Sequence, residues 1–245
     1  MAISLKKLSP ALFPLLLGHA PASATSPSFD CSRAKSSDEK LICEDDHLAE
    51  LDQAVAIAFK QALTAKKADA ADVKTSAKER LDDRRACGAE QICILDAQVK
   101  AISLFGEMGS NVPVPPWIGE YRLNYAKVHP AVMDEKLPQM RGHCTRTQIA
   151  SITGRFGETL KFPLSKDDEV SGTAVKYTND IYQISYGYGE DVARSHIGDQ
   201  VLLCLSSIPR NCPPGDNRGR EYSATNLTSR TSWIMQDSQH MCGGP

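Results

Sequence analysis

Between residues 27 and 108 apolar side chains recur at helical spacing, and after residue 117 that period gives way to short β-branched and aromatic runs separated by turn residues. Ser36 with Glu39 forms a capping-box signature ahead of Lys40-Leu41-Ile42, a short helical turn that ends near Cys43. Asp45 is then a suitable N-cap for a longer helix that carries Leu48, Leu51, Val55, Ala58, Phe59 and Ala62 on one face and runs to about Ala65. A second helix is predicted near Asp72, with Val73, Ala77 and Leu81 at four-residue spacing, and a third carries Ile92, Leu95, Val99 and Ile102. All these apolar positions are read as core.

The later part predicts strands at Thr145 to Ile152, Ala174 to Tyr177, Tyr182 to Tyr186, Gln200 to Ile208, Arg220 to Asn226 and Ser232 to Met235. Turn residues such as Tyr177-Thr178-Asn179-Asp180 and Pro213-Pro214-Gly215-Asp216 separate them. Short strands in this number suggest a small antiparallel barrel, of the OB or SH3 sort, or a sandwich. The fold class is therefore α+β: a small helical domain of about three helices at 27–108, then a β-rich domain at 117–245. Between them, residues 109–116 (Gly-Ser-Asn-Val-Pro-Val-Pro-Pro) read as a stiff extended connector, since proline fixes φ and disfavours helix before it.

The first residues change the cellular picture. Lys6 and Lys7 precede the apolar run Ala11 to Gly18, and Ala22-Ser23-Ala24 supplies small residues for cleavage, so residues 1–24 read as an export signal. That run is shorter than the ~20 residues a membrane-spanning helix needs, and no later stretch approaches it. The expected location is periplasmic or secreted, with no membrane span.

Export makes the eight cysteines disulfide candidates: Cys31, Cys43, Cys87, Cys93, Cys144, Cys204, Cys212 and Cys242. No Cys-x-x-Cys or His-x-x-x-His pair offers a metal two ligands from one turn, so neither metal nor other cofactor is expected. Cys87 and Cys93, in one unbroken helix, would lie ~9 Å apart along its axis. If they pair, the helix must break between them, and Gly88 is the place. Cys31 with Cys43 would tie the entry segment to the start of the long helix. The last four cysteines allow three connectivities, with Cys144–Cys242 and Cys204–Cys212 preferred.

Charge separates the two parts. The chain carries −2 overall, and loss of Lys6 and Lys7 makes it −4. Residues 27–110 hold 16 Asp and Glu against 12 Lys and Arg, which accounts for the whole excess. Nucleic acid is excluded as a partner, because phosphate binding needs a basic stripe. A basic protein fits better. The densest acidic stretch is Glu44, Asp45 and Asp46, with Glu50 a turn later, and these four are the candidate partner-binding residues. The same carboxylates would also suit a helix N-terminus with no partner at all.

A family likeness rests on particular residues. Ser28-Phe29-Asp30-Cys31, then Glu39-Lys40-Leu41-Ile42-Cys43, Leu48-Ala49-Glu50-Leu51-Asp52, and later Leu81, Arg84, Ala86-Cys87-Gly88, Cys93, Ile102 and Phe105 resemble the LprI-like lysozyme-inhibitor domain over about a third of the chain. The resemblance implies a small helical, disulfide-bonded, exported domain that blocks a basic lysozyme-type protein by binding. Three departures stand out: Arg80 where an aromatic residue is expected, Gln98 in place of Tyr, and Ala101 in place of Arg. Aromatic and Arg side chains are usual carriers of interface energy, so their loss bears on activity and leaves the fold intact.

Catalysis finds no motif. His47, His129, His143, His196 and His240 stand outside any Gly-x-Ser-x-Gly, His-Glu-x-x-His or phosphate-loop pattern. Asp237-Ser238-Gln239-His240 holds triad residue types side by side, which reads as a polar turn. Tyr182, Tyr186 and Tyr188 are expected to alternate on one strand face, where they could stack a sugar or pack in the core. The reading is a non-enzymatic binding protein: a lysozyme inhibitor acting through its helical part, or an envelope interaction module whose β part holds a glycan or another partner.

Overall fold

The computed structural model describes residues 25–166 and 168–244, so the export signal assigned to 1–24 lies outside the described residues. Four helices open the chain: α1 (Ser37–Glu44), α2 (Asp46–Thr64), α3 (Ala70–Ala86) and α4 (Gln91–Glu107). The capping box forms as expected: the Glu39 carboxylate accepts from the amides of Lys35 and Ser36, which holds its pKa below the ordinary carboxylate range. Asp45 caps α2 by accepting from the amides of His47 and Leu48. Between α3 and α4 the chain reverses at Gly88, whose φ of +62° suits a residue without Cβ. Cys87 bonds to Cys93 across that break and Cys31 bonds to Cys43, with Cα atoms 5.5 and 5.8 Å apart.

A fifth helix, α5 (Ile118–Val128), follows the extended connector, in a stretch where the sequence offered no helical period. Its inward face is Ile118, Arg122 and Ala126, so a charged residue interrupts the apolar row that would have announced it. Gly119 lets α5 lie against the turn before the last strand: an added Cβ would sit 2.0 Å from the Arg230 carbonyl oxygen.

Six antiparallel strands then close a barrel: β1 (Cys144–Thr153), β2 (Thr173–Tyr177), β3 (Tyr182–Ser185), β4 (Gln200–Ser207), β5 (Glu221–Asn226) and β6 (Ser232–Gln236). Their order around the barrel is β1-β2-β3-β6-β5-β4, one strand more than the five of an OB fold. A single-turn helix, α6 (Glu190–Ala193), packs Val192 against the lumen. The lumen holds Ile149, Val175, Tyr177, Val201, Leu203, Leu205, Tyr222, Trp233 and Met235. One buried polar residue is fully used there. Gln183 accepts from the Tyr177 hydroxyl and the Trp233 indole N–H, and donates to the carbonyls of Tyr222 and Met235.

Strand β4 is buried on both faces, which explains its unbroken run Val201-Leu202-Leu203-Cys204-Leu205. Val201, Leu203 and Leu205 face the lumen, while Leu202 and Cys204 join the core formed by α1, α2, α4 and α5. The helices and the barrel therefore share one core. A buried ion pair lies at the junction: Arg122 of α5 donates to Asp96 of α4 from Nε at 2.9 Å and Nη2 at 2.5 Å, and the Ser206 hydroxyl of β4 reaches across from the barrel to donate to the same carboxylate. Lys100 of α4 pairs with Glu221 of β5 beside it.

The last two disulfides correct the pairing expected from sequence. Cys144 bonds to Cys204, and Cys212 to Cys242. Register decides this, because Cys144 and Cys204 stand directly opposite on the adjacent strands β1 and β4. Cys212 and Cys242 then fasten the β4–β5 loop to the C-terminal segment. All eight cysteines are bonded, and no helix among the described residues is long and apolar enough to cross a membrane.

Candidate functional site

The acidic residues singled out from sequence divide into two kinds. Asp45 is half-buried and committed: besides capping α2, its Oδ2 accepts from the Tyr121 hydroxyl at 2.8 Å and from the Gln91 amide at 2.6 Å. Glu44, Asp46 and Glu50 are exposed. Glu50 accepts from the Trp117 indole N–H at 3.2 Å, and Glu44 and Asp46 project from the junction of α1 and α2.

Beside these carboxylates lies an aromatic group that the sequence reading did not connect to them. The rings of His47 and Trp117 meet edge-to-face at 4.6 Å, His47 and Tyr121 at 5.2 Å, and Trp117 and Tyr121 at 5.9 Å. Further along α5, Tyr125 stacks on His129 at 4.1 Å. Burial, together with the hydrogen bond to the Asp45 carboxylate, pushes the Tyr121 hydroxyl far above its ordinary pKa, so it stays a neutral donor. Tyr125 is raised by burial and by the charge of Glu90. The result is a face with half-buried aromatic rings at its centre and Glu44, Asp46, Glu50 and Glu90 around it. The signal for the aromatic half was absent from the local sequence, because Trp117 and Tyr121 follow the connector, some seventy residues from the acids they meet.

The three departures from the resembled family do not lie on that face. Gln98 and Ala101 are each only 3% exposed, and with half-buried Arg80 they stand around a half-open pocket between α2, α3 and α4.

On the barrel, the tyrosine row expected from sequence does not form. Strand β3 ends at Ser185, so Tyr186 and Tyr188 lie beyond it and donate to the carbonyls of Gln239 and Lys161. Arg155 is instead stacked on two exposed rings, Phe156 at 4.4 Å and Tyr186 at 4.3 Å, and Arg194 covers Phe162 at 4.9 Å. Tyr186 also stands at the edge of a groove of about 1190 Å³ between α4, the connector, β3 and β6. The Asp237 to His240 stretch is a turn: the Ser238 hydroxyl donates to the His240 carbonyl, and Asp237 accepts from the Gly219 amide. Among the described residues no cluster of His, Cys, Asp and Glu has a metal-holding arrangement.

Comparison with protein-family models, with curated proteins and with solved structures finds no match for this chain.

Proposed function

We propose that this chain is an exported, non-enzymatic binding protein that blocks a basic protein of the lysozyme type through the face made by α1, α2 and α5. The observation that carries the reading is the division of labour among the acids. Asp45 is spent on holding α5 against α2, whereas Glu44, Asp46 and Glu50 stay exposed around Trp117 and Tyr121. Rings ringed by like charge are the composition of an interface whose centre packs and whose rim steers an oppositely charged partner. The resemblance of residues 28–105 to the LprI-like domain supports the same choice of partner. A lysozyme cleft works with carboxyl groups on an otherwise basic protein, so an acidic convex surface can occlude it.

The test is a cell-wall lysis assay with a basic lysozyme and the full-length oxidised protein. Lysis should slow at low salt and recover as salt screens the attraction, and a Glu44→Lys, Asp46→Lys, Glu50→Lys triple variant should lose most of the effect. Undiminished lysis at low salt with excess protein would rule the reading out.

A second reading has its own support in the Arg155 stack. Exposed Phe156 and Tyr186, one of them at the edge of the groove, suit the apolar face of a sugar ring. Peptidoglycan or soluble glycan binding that disappears in Phe156→Ala with Tyr186→Ala, while lysozyme is unaffected, would favour this module over the inhibitor.

A further inference from the structure

A half-open pocket between α2, α3 and α4 has the properties of a ligand site. It measures about 210 Å³; its apolar walls are Val55 and Phe59 of α2, Ala77 and Leu81 of α3, and Ala101 and Phe105 of α4, and Ser28, Asp52 and Arg84 line it as well. Phe59 and Phe105 form an aromatic corner with centroids 5.7 Å apart. Enclosed apolar cavities of about 150 Å³ hold single aromatic rings, so the volume here is enough for one ring against the apolar walls.

One atom in each of two side chains lining this space has no hydrogen-bond partner. Gln98 is 3% exposed, and its amide nitrogen donates to the Leu48 carbonyl at 3.2 Å, which fixes the amide and leaves Oε1 buried with no donor. The Nε of Arg80 is also buried and unpartnered. A buried amide oxygen without a hydrogen bond is costly, and nearly all such groups in folded proteins find a partner. The other charges are already matched. Arg84 pairs with Asp38 and Asp52, and Arg80 with Asp83, so no spare positive charge waits for an anion.

We propose that this pocket binds a small neutral amphiphile, a phenol or similarly sized alcohol, whose ring or chain fills the apolar walls and whose hydroxyl donates to Gln98 Oε1. A hydroxyl supplies the missing donor, and its oxygen is the kind of acceptor that the Arg80 N–H lacks. The site is separate from the acidic face, and it survives the failure of the inhibitor reading.

Full-length oxidised protein titrated calorimetrically with 4-ethylphenol and with ethylbenzene tests it. The phenol is expected to bind about tenfold more tightly, the worth of one buried hydrogen bond. Gln98→Leu should abolish that preference by weakening the phenol alone. Ala101→Phe should remove binding of both probes; if it does not fold, Ala77→Leu, which fills the same space from a half-buried wall, takes its place. Absence of phenol binding at millimolar concentration, equal affinity of the wild type for both probes, or binding that survives a folded pocket-filling variant overturns the proposal.

Discussion

Asp45 shows how one carboxylate can be claimed from several sides at once. It closes the N-terminus of α2, and it receives the Tyr121 hydroxyl and the Gln91 amide from two other helices. A helix cap is worth ~1 kcal/mol, and hydrogen bonds to a charged acceptor ~1.5 kcal/mol or more. Asp45→Ala is therefore expected to cost about 2–3 kcal/mol in urea denaturation, whereas Glu44→Ala and Asp46→Ala should stay within ~0.5 kcal/mol, as exposed substitutions do. Asp45→Asn keeps the cap and should fall between them. Equal costs at the three positions would mean that the acids are not divided into a structural one and exposed ones. The cap was legible in the sequence, because a good N-cap residue stood just ahead of a helical period. Tyr121 as its partner was not, because nothing local to either residue links them.

At the scale of elements, legibility followed the regularity of burial. The helices α2 and α4 bury mostly apolar rows long enough to keep the helical period despite buried Asp52 and Asp96, and the six strands alternate or run apolar between turn residues, so both helices were expected and α2 and the strands have ends close to those predicted. The fifth helix was hidden because Arg122 sits where an apolar residue would complete its stripe, and because its tightest contact is made by a glycine, which carries no pattern at all. The last two disulfides were illegible for another reason: strand register brings Cys144 opposite Cys204, and sequence separation does not encode register. Gly119 allows a direct test of how α5 is seated. A methyl group there meets the Arg230 carbonyl, a backbone atom that cannot swing aside. Gly119→Ala should lose about 1–3 kcal/mol by overpacking, against the gain of several tenths that Gly to Ala brings in an open helix. Gly106→Ala in α4, where nothing stands within 4 Å, is the control and should be neutral or stabilising. A stabilised Gly119→Ala protein, by the same denaturation measurement, would show that α5 does not pack against the barrel as closely as described.

For the whole molecule, the core shared by helices and barrel encloses an ion pair from which water is excluded. Arg122 and Asp96 are each 1% exposed or less, and Ser206 completes the bonds to the carboxylate from the barrel side. Taking both charges out of water is expensive, so the pair itself adds little net stability; removing one partner leaves the other uncompensated. Arg122→Met should therefore cost about 3–5 kcal/mol, while Arg122→Met with Asp96→Leu and Ser206→Ala should regain most of that loss. The two tryptophans make the measurement specific, since Trp117 reports the helical face and Trp233 the barrel lumen. With Trp117→Phe and Trp233→Phe as single-reporter backgrounds, a shared core requires that both fluorescence transitions coincide in the unsubstituted junction. In the Arg122→Met protein the two midpoints should fall and draw apart, because the remaining charge is buried where the two halves meet. Separate transitions before any change at the junction would mean that helices and barrel unfold as independent domains, and that the Arg122–Asp96 pair serves only its own side.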